Sequence, residues 1–129
     1  MTYAKTRVPL IAAALLALGT TVAAEQPDYR SANAWFLGCK AFAENNARTV
    51  ELMVDGSYCG GIVHGLSAVS QVLPPKMQYC APVTSTASQL MRVVVRYIEA
   101  QPQRMHEDFR DLVLEAFRNA WPGPCQAGR

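Results

Sequence analysis

Four cysteines, at positions 39, 59, 80 and 125, punctuate a chain whose other segments carry the apolar spacing of helices. No two of them stand two to four residues apart, so the paired-ligand spacing of a structural zinc site is missing and neither metal nor cofactor is expected. Disulfides are the remaining reading, and disulfides persist in chains that leave the cytoplasm. The N-terminus agrees: Lys5 and Arg7 precede a mostly apolar run from Val8 to Val22, and Val22-Ala23-Ala24 offers small residues to a peptidase. Cleavage is expected after Ala24, with residues 1–24 a secretory signal peptide and 25–129 a single helical domain. The apolar run is shorter than the roughly 20 residues of a membrane-spanning helix, so no membrane association is expected once it is removed. The first cysteine, Cys39, lies well past the cleavage point, which argues against a lipid anchor there. The signal holds two of the twelve Lys and Arg and none of the ten acids, so the remaining chain is formally neutral and gives no reason to expect nucleic acid.

After a polar leader from Glu25 to Asn33, four helical stretches are predicted. The first runs from about Ala34 to Asn46, with Trp35, Cys39 and Phe42 on one side. The second starts near Asp55 to Ser57 and carries Tyr58, Ile62, Leu66, Val69 and Leu73 to a stop at Pro74-Pro75. The third begins after Thr84, Ser85 or Thr86 and buries Leu90, Val94, Tyr97 and Ile98, with Gln89, Arg92, Arg96 and Glu99 in water. The fourth sets Met105, Phe109, Leu112, Val113, Ala116, Phe117 and Ala120 inward and ends at Trp121-Pro122-Gly123-Pro124. Its acids, Glu107, Asp108, Asp111 and Glu115, are read as a solvated face. Gly60, Gly61 and Gly65 cost helix propensity, which is tolerable where another helix comes close. The predicted fold is all-α, a small compact bundle of four or five amphipathic helices braced by two disulfides.

Four cysteines allow three pairings, and helix geometry selects one. In an antiparallel hairpin turning near Thr49, Cys39 and Cys59 are equidistant from the turn and face each other. If the third and fourth helices are also antiparallel, Cys125 returns to Cys80. Cysteines so engaged supply no nucleophile, and the only histidines, His64 and His106, form no dyad with one, so no enzymatic activity is expected.

Ser57-Tyr58-Cys59-Gly60-Gly61-Ile62-Val63-His64-Gly65, then Tyr79-Cys80 with Val83-Thr84 and Gln89-Leu90, the long segment Val93 to Glu107, and Ala116-Phe117 before Pro124-Cys125 carry a resemblance. From about Phe36 to Cys125 the chain resembles the Rap/Tai family of type VI secretion amidase immunity proteins. The resemblance implies a periplasmic, all-helical protein, often a homodimer, that binds a peptidoglycan amidase effector and occludes its active site. A partner-binding loop is then sought, and the best candidate is Pro75, Lys76, Met77, Gln78 and Tyr79, stiffened by two prolines and tethered at Cys80. Met77 and Tyr79 offer contact surface of the kind interfaces favour, unless Tyr79 packs beneath the disulfide and the loop is a connector. A periplasmic chaperone resembling the small helical acid-resistance proteins, or an orphan helical binding protein, is the alternative expectation.

Overall fold

A computed structural model describes residues 28–125, so the expected signal peptide and cleavage point lie outside the described residues. Four α-helices follow one another: α1 (Ala32–Ala43), α2 (Val50–Val69), α3 (Ala87–Glu99) and α4 (Phe109–Ala120). Short 3-10 turns cover Ser70–Val72, Pro75–Met77 and Pro102–Arg104. Among the described residues there is no strand beyond two isolated bridges, Ser31 with Asp108 and Tyr79 with Pro122. The all-α expectation holds, and so do both pairings: Cys39 bonds Cys59 and Cys80 bonds Cys125, each with 5.4 Å between Cα atoms.

α1 and α2 form the expected hairpin. α1 stops because Asn45 takes a left-handed conformation (φ 56°). There the Asn46 N–H donates to the Ala41 carbonyl at 2.7 Å and the Asn45 N–H to the Phe42 carbonyl at 3.1 Å, which satisfies the last carbonyls of the helix. α2 begins earlier than the sequence suggests, at Val50 rather than near Asp55. The Thr49 hydroxyl accepts the Leu52 N–H at 3.2 Å, and this cap draws the β-branched Val50 and Val54 into the helix. The two helices touch at Gly38 and Gly56: a Cβ on Gly38 would meet Asp55 at 2.4 Å, and one on Gly56 would meet the Gly38 carbonyl at 2.9 Å. These glycines, rather than Gly60, Gly61 and Gly65, permit the close approach; Gly61 and Gly65 face open space.

The inner face of α2 is also turned by about one residue from expectation. Gly56, Cys59 and Val63 are buried, while Tyr58 is 51% exposed and stacks on Trp35 with 4.0 Å between ring centres. Because the apolar residues of α2 fall on every side of it, its spacing gives no phase, and the disulfide to α1 sets it.

α3 starts at the last of the three candidate caps: Thr86 and Gln89 bond each other's backbone N–H reciprocally. It buries Leu90, Met91, Val94, Val95 and Ile98, with Tyr97 half-buried. α4 begins at Phe109, four residues later than Met105, because the Asp108 carboxylate caps it by accepting the Arg110 N–H at 3.0 Å. Asp108 is thus a cap rather than part of a solvated face. The N-terminal end of α1 meets the same loop, where the Ala32 and Asn33 N–H groups donate to the carbonyls of Glu107 and Met105. Cys59, Val63, Met91, Val94, Ile98, Phe109, Leu112, Val113 and Phe117 close one core. Each large side chain there contributes about 1.5–3 kcal/mol by burial.

Candidate functional site

The segment from Ser70 to Cys80 is held at one edge of the bundle by bonds to three parts of the chain. After Leu73 takes the extended backbone that a following proline imposes, Pro74 turns the chain and its carbonyl accepts the Met77 N–H at 2.7 Å. Gln78 acts as a strut: its amide donates to the Leu73 carbonyl at 3.0 Å and its side-chain oxygen accepts the Cys125 N–H at 3.3 Å. Buried Ser70 clamps Tyr79 at both backbone groups, accepting its N–H at 2.9 Å and donating to its carbonyl. The Cys80 N–H then donates to the Trp121 carbonyl at 2.9 Å, beside the Cys80–Cys125 bond.

The five loop residues expected to meet a partner therefore divide. Pro75, Lys76 and Met77 are exposed and Gln78 is half-buried. The Tyr79 ring offers no contact surface, being 1% exposed, and this corrects the expected role of its side chain. It packs on Phe117 at 5.2 Å between ring centres, and its hydroxyl donates to the Leu66 carbonyl. Burial pushes that phenol's pKa upward. Tyr79 is the anchor beneath the loop.

Alongside the loop runs the segment Trp121–Pro124, with Gly123 against the Gln78 backbone so closely that a Cβ there would lie 2.5 Å from the Gln78 carbonyl oxygen. Pro75, Lys76, Gln78, Arg118, Pro122, Gly123 and Pro124 border a groove of about 340 Å³. Beside Trp121, a groove of about 440 Å³ opens between Arg92, Val93, Arg96 and Pro82. Sequence reading missed Arg92, Arg96 and Arg118 as site residues. The four-residue step from Arg92 to Arg96 marks a shared helix face, but their proximity to Trp121 depends on tertiary packing.

A separate polar cluster ties α3 to α4. Arg104 donates to Glu107 at 2.6 Å and to Glu115 at 2.7 Å, and the Tyr97 hydroxyl donates to Glu115 at 2.9 Å. The Arg104 hydrogen bonds hold both carboxyls below the usual glutamate range, and Arg110 with its paired hydrogen bonds holds Asp108 down at about 2. Tyr97, Arg104 and Glu107 of this cluster lie in the segment 93–107 that carried the sequence resemblance, and they draw Glu115 of α4 into a polar network rather than leaving it on a free face.

All four cysteines are consumed in disulfides, and His64 and His106 lie exposed on the surface. Among the described residues no group of three or more His, Cys, Asp and Glu is placed to hold a metal ion, and no helix is long and apolar enough to cross a membrane. No curated protein and no solved structure matches the chain. One family model does, that of the Rap1a immunity proteins, over residues 22–125.

Proposed function

Since the chain belongs to the Rap1a immunity protein family, we propose that it acts in the periplasm, where it binds a type VI secreted peptidoglycan amidase and covers that enzyme's active site. Family membership makes it an immunity protein against a secreted effector, a role generally without catalysis of its own. The observation that carries the finer reading is the match through to residue 125 on a scaffold with two disulfides, which fits an oxidising compartment reached by cleavage of residues 1–24. A catalytic toxin must be held tightly, and nanomolar affinity corresponds to about −12 kcal/mol. A loop already fixed by Ser70, Gln78 and the Cys80–Cys125 bond loses little freedom on docking, which favours such affinity. We assign the inhibitory contact to Pro75, Lys76 and Met77, with Gln78 and Tyr79 supporting them from below. Exposed Val54, Tyr58 and Val69 on α2, with Val72 in the turn that follows it, support a second copy of the chain as a further partner.

The test is capture from periplasmic extract and from a panel of cell-wall amidases, followed by amidase assay with the purified protein added and sedimentation of the protein alone. Stoichiometric inhibition of one amidase is expected. Broad capture of unfolded proteins at low pH, without inhibition of any amidase, would move the assignment to a chaperone.

A further inference from the structure

The two grooves are lined by consecutive residues of one segment, Trp121 in the larger and Pro122, Gly123 and Pro124 in the smaller, and their charge is one-sided. Arg92 and Arg96 line the larger, Lys76 and Arg118 the smaller, and no aspartate or glutamate lines either. None of these four cations forms an ion pair among the described residues, whereas Lys40, Arg104 and Arg110 each hold a carboxylate at 2.6–2.7 Å. Glu115, one turn before Arg118, is already engaged by Arg104. Glu51 and Asp55 lie on α2, which lines neither groove, and Glu44, although it follows the Ala43 that Arg92 bonds, forms no ion pair with Arg92. Apart from Arg48, which bonds Asn46 in the α1–α2 turn, the cations without an ion pair among the described residues thus gather at these two neighbouring grooves.

We propose that this surface receives an extended, acidic segment of the effector protein, with Arg92 and Arg96 each taking one of its carboxylates. The proposal rests on the immunity reading and specifies what its partner presents. Arg92 and Arg96 are one helical turn apart, about 6 Å along α3. Alternate residues of an extended chain point the same way and are spaced by about 6.6 Å, so carboxylates two residues apart match the two guanidiniums. The Arg92 Nε donates to the Ala43 carbonyl at 3.1 Å, which orients that guanidinium and leaves its terminal N–H groups for the planar, two-pronged contact that carboxylates accept. Trp121 and the prolines at 75, 122 and 124 add apolar walls, and Lys76 and Arg118 continue the positive charge past the ridge. Positive charge spread along two grooves suits several carboxylates on one chain better than a single phosphate, which needs donors converging on one point.

Fluorescence anisotropy of a labelled peptide of alternating glutamate and alanine, titrated with the disulfide-intact protein, tests the proposal. The glutamine-alanine peptide and anionic phosphatidylglycerol vesicles serve as controls. Binding of the glutamate peptide is expected, weakened by salt and by at least about tenfold in R92E/R96E, without binding of either control. R96E alone, which keeps the Arg92 bond to Ala43, should weaken it in the same direction if the double variant unfolds. Equal binding of glutamate and glutamine peptides, equal binding by the variants, no binding at all, or a preference for vesicles would overturn the proposal. Amidase inhibition by the unaltered protein is measured in parallel: its failure counts against the immunity reading while the peptide result judges the groove. Inhibition by R96E as strong as the unaltered protein's would overturn the assignment of that segment to the effector.

Discussion

Ser70 satisfies the buried backbone of Tyr79 from nine positions upstream, so the loop's shape depends on one hydroxyl outside it. Replacing Ser70 by alanine leaves the Tyr79 N–H buried without that partner and should cost about 1–3 kcal/mol in chemical denaturation. An unchanged midpoint would remove Ser70 from the account. Glycines give a second contrast at this scale. Gly56→Ala should destabilise by about 1–3 kcal/mol, because its methyl group enters the contact with Gly38 and Phe42. Gly61→Ala, in open space on the same helix, should stabilise by up to about 1 kcal/mol. Equal effects from the two substitutions would contradict the described α1–α2 contact.

At the scale of the elements, what the sequence revealed depended on whether a local signal carried phase. α3 alternates cleanly between Leu90, Val94 and Ile98 on one side and Gln89, Arg92 and Arg96 on the other, and its cap and face were legible. The apolar residues of α2 fall on every side of it, so its start and buried face came instead from Thr49 and from the bond to Cys39. The cysteine pairs were legible because equal distance from a turn is a property of sequence separation. The loop was legible through Pro74-Pro75, but the inward turn of Tyr79 required Ser70 and Phe117, and its neighbour Arg118 comes from another helix. Two further tests belong to α4. Asp108→Ala should remove its cap and cost about 1 kcal/mol, with a matching loss of helical signal on heating. Asp108, Glu107 and Glu115 bind protons less readily in the fold than in the unfolded chain. Their stabilisation is therefore complete above the ordinary carboxylate range and is lost as pH falls from about 4.5, for Asp108 until about pH 2. Urea midpoints taken from neutral pH downward should decline across that window; a flat profile would deny these groups the role described.

For the molecule as a whole, the two disulfides divide the work of holding it. Cys39–Cys59 closes a separation of 20 residues and Cys80–Cys125 one of 45, so in the chain-entropy account they contribute about 3 and about 4 kcal/mol. C39A/C59A should lower the denaturation midpoint while sparing the loop and grooves. C80A/C125A should also release the Trp121–Pro124 wall from Gln78, weakening effector capture more than its stability loss explains. Equal capture by both double variants at a temperature where both are folded would show that the second bond has no part in shaping the surface.

The placement of that second bond also sets a timetable. In a chain delivered N-terminus first to an oxidising compartment, Cys59 follows Cys39 by 20 residues, whereas Cys80 must wait 45 residues for Cys125. The surface beside the loop is thus completed after the α1–α2 hairpin, and only where thiols can be oxidised. A copy kept among cytoplasmic reductants would be translated yet lack the bond that holds this surface, so the proposed docking would follow oxidation rather than synthesis.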